Sequence, residues 1–302
     1  MRLMRDEVTV RVPATSANLG PGFDAFGLAH AIHDVVTVRA TAGATDVQVT
    51  GEGVGEVPTG EDHLVVRALR AGLDYAGAPQ AGFSLHCHNA IPHGRGLGSS
   101  ASAVVAGLLV ARGLINEPEA LDNDSLLNLA TEFEGHPDNA APALFGGVTV
   151  AWMEGPQARA AQIPLHPDVQ PTVLIPTDRL PTSRARAVLP ATVAHADAAF
   201  NAGRAGLLVL ALSTRPDLLL PATEDRLHQA QRADAMMATS ALVDRLRQAG
   251  APAVISGAGP TVLVLAPLTA AQQAVVGQAW QVLSPSIDFD GGQVTVPEPS
   301  RG

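Results

Sequence analysis

The chain has 302 residues, enough for one large domain or two ordinary ones, and its 46% apolar and 16% charged residues are spread along it, which excludes a disordered chain. The net charge is −10, with the acids scattered and no basic patch, so nucleic acid is excluded as a partner. All nineteen basic residues are arginine. With no lysine, a P-loop lysine, a Schiff base and a lysine general base are ruled out, and any bound anion must be held by Arg, His, backbone N–H groups or a metal. The single cysteine, Cys87, excludes an intrachain disulfide. The longest apolar runs, such as 206–212, are too short to cross a bilayer, and the N-terminus has no secretory pattern. The expectation is a cytoplasmic protein with no membrane partner.

Val8, Val10 and Val12 alternate as one face of a strand, which then breaks into a Gly/Pro-rich loop over 13–29. Residues 33–41 read as a second strand. Residues 61–77 carry Leu64, Val65, Ala68, Leu69 and Leu73 at helical spacing, with Asp62 as N-cap and Gly77 as stop. A strand over 82–92 follows. Its His86 and His88 point one way and Cys87 the other, so this triplet reads as a core cysteine between two surface histidines, not a metal clip. The pattern predicts a small-residue helix over 100–114, ended by Gly113. It also predicts an amphipathic helix over 124–138, with Leu126, Leu127, Ala130 and Phe133 inward, and a strand over 146–154.

Residues 155–170, rich in Pro, Gly and polar side chains, mark a boundary, giving halves 1–160 and 161–302. The second half starts with a strand at 172–176. Several helices follow, the longest over 224–249, with Met236 and Met237 as core filler. Two strands flank "SGAGPT" (256–261), then come a helix over 268–282, a strand near 291–295 and a frayed tail, 296–302. His30 and His33 read as structural. Strands and helices mixed without strict βαβ alternation indicate an α+β fold.

The stretch "PHGRGLGSSAS" (92–102) places glycine at 94, 96 and 98, followed by Ser99 and Ser100 at a predicted helix start. Glycines let backbone N–H groups converge, and a helix N-terminus attracts anions. Turn-and-cap chemistry accounts for the same residues, since Ser is a good N-cap. The missing lysine excludes Walker A, and Gly-x-Gly-x-Gly is not the dinucleotide spacing. Three further interruptions at strand ends accompany it: 13–29, with Ser16, Asn18 and Asp24; 134–147, with Glu134, His136, Asp138 and Asn139; and 256–261. Together they look like one site assembled from loops.

In this order "PATSANLGPGFDAFGLA", "GRGLGSSAS", "EGHPDNAAPALFGG", "TSRARAVLP" and "SGAGPT" resemble the motifs of the GHMP small-molecule kinases, and among them the homoserine kinase family. The match spans residues 13–261. It implies a two-domain α+β GHMP kinase fold: an N-terminal half like ribosomal protein S5 domain 2 that binds ATP, and a ferredoxin-like C-terminal half. The substrates implied are ATP and L-homoserine, with Mg2+; a homodimer is compatible with the resemblance.

By the same resemblance, Pro92, His93, Gly94, Arg95, Gly96, Leu97, Gly98, Ser99, Ser100, Ala101 and Ser102, with Gly257 and Gly259, form the ATP site. Ser99 or Ser100 and Glu134 hold the metal, Glu132 being the competitor for Glu134. Asn18 and Asp24 hold the amino acid substrate, Asp24 as the anionic acceptor of its ammonium, while Arg186 and Arg232 grip its carboxylate, with Arg184 and Arg226 as decoys and Thr182 as a weaker contact. His136, Asp138 and Asn139 lie by the accepting hydroxyl. Asn139 takes no proton at neutral pH, so either Asp138 is the base or the γ-phosphate receives the proton late in a loose transition state. Two alternatives stay open: a related kinase acting on an isoprenoid-precursor alcohol, and a non-catalytic nucleotide-binding relative.

Overall fold

The computed structural model describes residues 1–295, so the tail expected to fray, 296–302, lies outside the described residues. In β1 (Glu7–Ala17), Val8, Val10 and Val12 are fully buried, as their alternation predicts. The strand does not break at Pro13. It runs to Ala17 through a register shift between Pro13 and Ala14, and β2 (Phe26–Thr41) starts at Phe26. The shift is where a proline without an N–H is tolerated. Only residues 18–25 are loop.

With β3 (Asp46–Gly51), β4 (Gly82–Asn89), β5 (Val148–Glu154) and β6 (Gln157–Ile163) these strands build the larger sheet. All its pairings are antiparallel except β3 with β4. β6 occupies much of the stretch expected as a linker, so residue 160 falls inside a strand. The C-terminal strand β11 (Gln293–Thr295) returns to pair with β1. The larger sheet therefore draws on both ends of the chain. Cys87 is buried between exposed His86 and His88, and burial pushes its thiol up to about 12.

Helices α1 (Leu64–Tyr75), α2 (Ser99–Leu114), α3 (Asn123–Glu134) and α4 (Ala140–Phe145) share one apolar core with β1, β2 and β4. Its members include Leu69, Phe83, Val105, Leu109 and Leu127. α1 starts after His63, and no side chain caps it, so Asp62 does not serve as N-cap. Gly77 (φ 62°) does follow its end as a left-handed stop. Gly113 does not end α2, which runs to Leu114. A Cβ at Gly113 would come 2.7 Å from Val8 Cγ1, so this glycine lets the helix lie on β1. α3 stops at Glu134 with Gly135 left-handed (φ 81°), four residues short of the expected end. His136 and Asp138 are thereby released from the helix.

The second sheet is β10 (Trp280–Leu283), β7 (Thr172–Pro176), β9 (Val262–Val264) and β8 (Ala253–Ile255), in that spatial order and antiparallel throughout. With α8 (Met237–Gln248) before β8 and α9 (Ala270–Val276) before β10, this is the expected ferredoxin-like β-α-β-β-α-β arrangement. Three further helices, α5 (Thr182–Ala187), α6 (His195–Ser213) and α7 (Leu219–Ala222), follow β7. No long helix covers 224–249. The Asp225 carboxylate accepts the N–H groups of Leu227, His228 and Gln229, making a turn, and Met236 (φ −148°, ψ 54°) leaves the helical region before α8. The longest helix of this half is α6, with 19 residues. Met236 is buried, but Met237 is 73% exposed and fills no core. α9 ends at Gly277, and the rest of the expected helix to 282 is β10. Among the described residues no helix is long and apolar enough to cross a membrane.

Candidate active site

One cleft collects residues from both halves. Gly94, Gly96, Gly98, Ser99 and Ser100 line one side; Glu134, His136, Asp138 and Asn139 line another; Asn18, Thr182, Arg186, Arg232 and Gly257 complete it. All three loop glycines are left-handed (φ 65°, 73° and 70°). A Cβ at Gly96 would strike the carbonyls of Ser256 and Gly259, and one at Gly98 would strike Thr15 Oγ1. The glycine spacing thus serves both the turn and the approach of neighbouring loops. Gly98 is the N-cap of α2 and no side chain caps the helix, so Ser99 and Ser100 are not spent on capping. The first amides of a sixteen-residue helix open beside the cleft, where its dipole favours an anion.

Polar bonds between halves fix the loops. Ser256 Oγ lies 2.6 Å from the Gly96 carbonyl and 2.7 Å from Ser16 Oγ, which is 2.7 Å from His30 Nε2. A carbonyl only accepts and a hydroxyl has one proton, so Ser256 donates to Gly96, Ser16 to Ser256, and His30 Nε2–H to Ser16. Burial pushes the His30 pKa down to about 3, so the ring is neutral, and this direction places its one N–H on Nε2. Asn18 (φ 68°) donates from Nδ2 to the Gly257 carbonyl (2.9 Å) and accepts the Asp24 N–H (2.9 Å). It thus ties two loops together rather than leaving its amide free.

Asp24 and Arg186, expected at opposite charges of one substrate, here hold each other. Arg186 Nη2 donates to Oδ1 at 2.6 Å and Nη1 to Oδ2 at 3.1 Å. Burial lowers the affinity of Arg186 for its proton, but the Asp24 carboxylate outweighs this and the net shift is upward. Arg232 is 1% exposed. Its Nε donates to the Ala185 carbonyl (3.1 Å), and its Nη1 reaches His228 Nδ1 (3.0 Å) and the Gly257 carbonyl (3.3 Å). Among the described residues Nη2 makes no hydrogen bond. Burial, then the charge of Arg186, depresses its pKa. Arg184 is exposed, and Arg226 stacks on Phe200 and pairs with Asp197, outside the cleft.

Glu134 lines the cleft and Glu132 is exposed outside it. Ser100, not Ser99, donates its hydroxyl to Glu134 Oε1 (2.6 Å), and burial raises the Glu134 pKa against that bond. Asp138 is 1% exposed and its Oδ1 is shared by His136 Nδ1 and Asn139 Nδ2 (3.4 Å). Burial works against the His136 imidazolium, but the bond to Asp138 prevails and raises its pKa. Thr15 Oγ1 donates to Asn139 Oδ1 (2.9 Å), orienting that amide.

Several expected ATP-loop residues lie behind the cleft. Leu97, Ala101 and Ser102 are buried in the core, and Gly259 meets Met236 across a close contact. Arg95 binds the carbonyls of Pro176 and Thr177 and so ties the loop to β7. Pro92 is half-buried, and His93 lines a second cavity beside Ser99 and Ser100.

One contributor has no signal in the sequence pattern. Phe23 sets its ring against both arginines, 5.6 Å from each guanidinium, and stacks on His228 at 5.1 Å. A phenylalanine in a Gly/Pro loop reads as filler until its neighbours are known.

The family models for the GHMP kinases N terminal domain and the GHMP kinases C terminal match residues 63–147 and 208–277. A homoserine kinase of Streptomyces avermitilis is 51% identical over 290 residues, covering 95% of both chains. A homoserine kinase of Streptomyces coelicolor is 52% identical, covering 95% of this chain and 94% of its own. The crystal structure of homoserine kinase from Cytophaga hutchinsonii has a TM-score of 0.81 at 27% identity, covering 97% of this chain and 98% of its own. A mevalonate diphosphate decarboxylase from Staphylococcus aureus, 14% identical with a TM-score of 0.66, shares the fold. The chain belongs to the homoserine kinase family of the GHMP kinases.

Proposed function

We propose that this cleft transfers the γ-phosphoryl group of ATP to the side-chain hydroxyl of L-homoserine, giving ADP and O-phospho-L-homoserine, a step of threonine biosynthesis. One observation carries the reading. A single cleft has a left-handed glycine loop and a helix N-terminus on one side and two arginines on the other, one of them paired with the Asp24 carboxylate behind it. The first set suits phosphates and the second a zwitterion. An isoprenoid-precursor alcohol has no ammonium to offer Asp24.

In this reading the loop amides of 94–100 and the end of α2 hold the phosphates. Arg186 and Arg232 take the α-carboxylate and Asp24 the ammonium, so the hydroxyl extends toward His136 and Asn139. The hydroxyl oxygen bonds to the γ-phosphorus as the bridge to the β-phosphate breaks, and the bridging electron pair leaves on ADP. The proton passes to a phosphoryl oxygen late in a loose transition state, since Asp138 already holds His136 and Asn139. Ser99, Ser100 and Glu134 offer two hydroxyls and a carboxylate, and Glu134 makes no salt bridge among the described residues. Hard oxygens of this kind fit Mg2+, which Glu134 with Ser99 or Ser100 would hold. When bound, the ion neutralises phosphate charge.

A coupled ADP-release assay with ATP and Mg2+ across L-homoserine, mevalonate, L-serine and L-threonine tests the reading. Turnover is expected with L-homoserine above the others. No turnover with L-homoserine defeats it.

A further inference from the structure

Three observations make the Asp24–Arg186 pair more than a stabilising contact. First, Asp24 is held by its backbone: it is left-handed (φ 55°) and its N–H is fixed by Asn18. Second, Arg232 is buried and anchored by the Ala185 and Gly257 carbonyls and by His228. Third, Arg186 lies on a six-residue helix, and its only side-chain hydrogen bonds among the described residues go to Asp24. Two of the three charges are fixed and one is free to re-pair.

The surroundings penalise leaving either member of the pair alone. Ligand atoms of Asp24, His136 and Asp138 lie within 4.8 Å of one another, so an uncompensated Asp24 carboxylate would stand beside the buried Asp138. An uncompensated Arg186 would share the Phe23 ring with Arg232. A ligand with only a carboxylate strands Asp24 when it takes Arg186. A ligand with only an ammonium strands Arg186 when it takes Asp24. A zwitterion strands neither: its ammonium replaces Arg186 on Asp24, and its carboxylate replaces Asp24 on Arg186 while also reaching Arg232. Unpaired half-buried charges are what such an exchange avoids.

The geometry points to the Asp24–Arg186 ion pair as a stand-in for the substrate's two charges, which selects acceptor alcohols that carry both an ammonium and a carboxylate. This rests on the homoserine reading of the cleft and deepens it from a set of contacts to an exchange of partners.

The test uses two fragments of homoserine: 4-hydroxybutanoate, which lacks the ammonium, and 3-aminopropanol, which lacks the carboxylate. Their binding is measured by calorimetry on the wild type, Asp24→Asn and Arg186→Gln. Asp24→Asn frees Arg186, so 4-hydroxybutanoate should bind it about five- to tenfold more tightly than the wild type. Arg186→Gln frees Asp24, and 3-aminopropanol should gain by a similar factor. Unchanged or weaker binding in either variant overturns the exchange, because independent subsites predict no gain. Thermal midpoints check the fold of each variant, with Asp24→Ser and Arg186→Met replacing one that does not match the wild type. Wild-type turnover of L-homoserine is measured alongside. Turnover with unchanged fragment binding sinks the exchange alone; absence of turnover sinks the homoserine reading itself.

Discussion

Asp138 shows how burial and hydrogen bonding narrow a residue's role. Its Oδ1 is occupied by His136 and Asn139, and its 1% exposure leaves little of it open to a substrate hydroxyl. An asparagine there keeps an acceptor oxygen for both neighbours but cannot take a proton. Asp138→Asn should therefore lower kcat by less than about tenfold, where an essential base would lose about 10²–10⁴. Asp138 also raises the His136 pKa, so any limb of the kcat/KM profile that follows His136 should move to lower pH in this variant. Steady-state kinetics over pH 5–9 read both effects (about two units either side of neutrality). A hundredfold loss with unchanged KM would restore Asp138 as the base. Most of this cluster was legible because Glu134, His136, Asp138 and Asn139 sit within six residues. Phe23, Thr15 and Ser256 were not, because each acts through a partner distant in sequence: Thr15 through Asn139 and Ser256 through Gly96.

At the scale of elements, periodicity located α1 to α3 and most of the strands, missed β3, β6 and β10, and misjudged where helices stop. Gly113 looked like a terminator and is a packing surface. The stretch 224–249 looked like one helix and is broken by the Asp225 turn and by Met236, a side-chain bond and a backbone angle that hydrophobic spacing does not encode. The contact between α1 and α2 carries the sharpest case. A Cβ at Gly107 would strike the Val65 carbonyl and come within 2.8 Å of Ala68 Cβ, and one at Gly72 would lie 2.7 Å from Ala111 Cβ. Helix propensity alone favours alanine over glycine by about 1 kcal/mol. At Gly107 overpacking against backbone outweighs that gain, and Gly107→Ala should destabilise by about 1–3 kcal/mol. Gly203, on the open side of α6, meets nothing within 4 Å, and Gly203→Ala should stabilise by about 0.5–1 kcal/mol. Urea denaturation of both variants checks the opposite signs. Equal signs would mean that propensity, not the helix–helix approach, decides both.

The stability of the whole molecule should carry a pH signature set by buried histidines and a buried carboxylate of opposite slope. His30 titrates near 3 in the fold against 6.5 when unfolded, so between these values the unfolded chain binds a proton that the native state refuses. Its contribution is intact above about 6.5 and is lost as pH falls, by about 1.4 kcal/mol per pH unit. His63, His93 and His228, also pushed down by burial, act in the same direction. Asp34 is the reverse. Burial raises its pKa from 3.8 to about 6, against the N–H groups of Ala90 and Ile91 that its Oδ1 accepts at 2.8 and 2.9 Å. Between 3.8 and 6 the native state holds the extra proton, so Asp34 offsets part of the histidine slope there and costs stability above 6. Asparagine can accept the same two N–H groups without a charge to desolvate. Asp34→Asn should therefore exceed the wild type by up to about 3 kcal/mol at pH 7 and above. The gap should close as pH falls from 6 to 3.8, where the wild-type carboxyl becomes neutral in both states. Subtracting one protein from the other cancels the histidines, which both share. Urea midpoints at intervals from pH 4 to 8 measure the difference, and a gap that stays constant with pH would show that Asp34 is not a strained carboxylate.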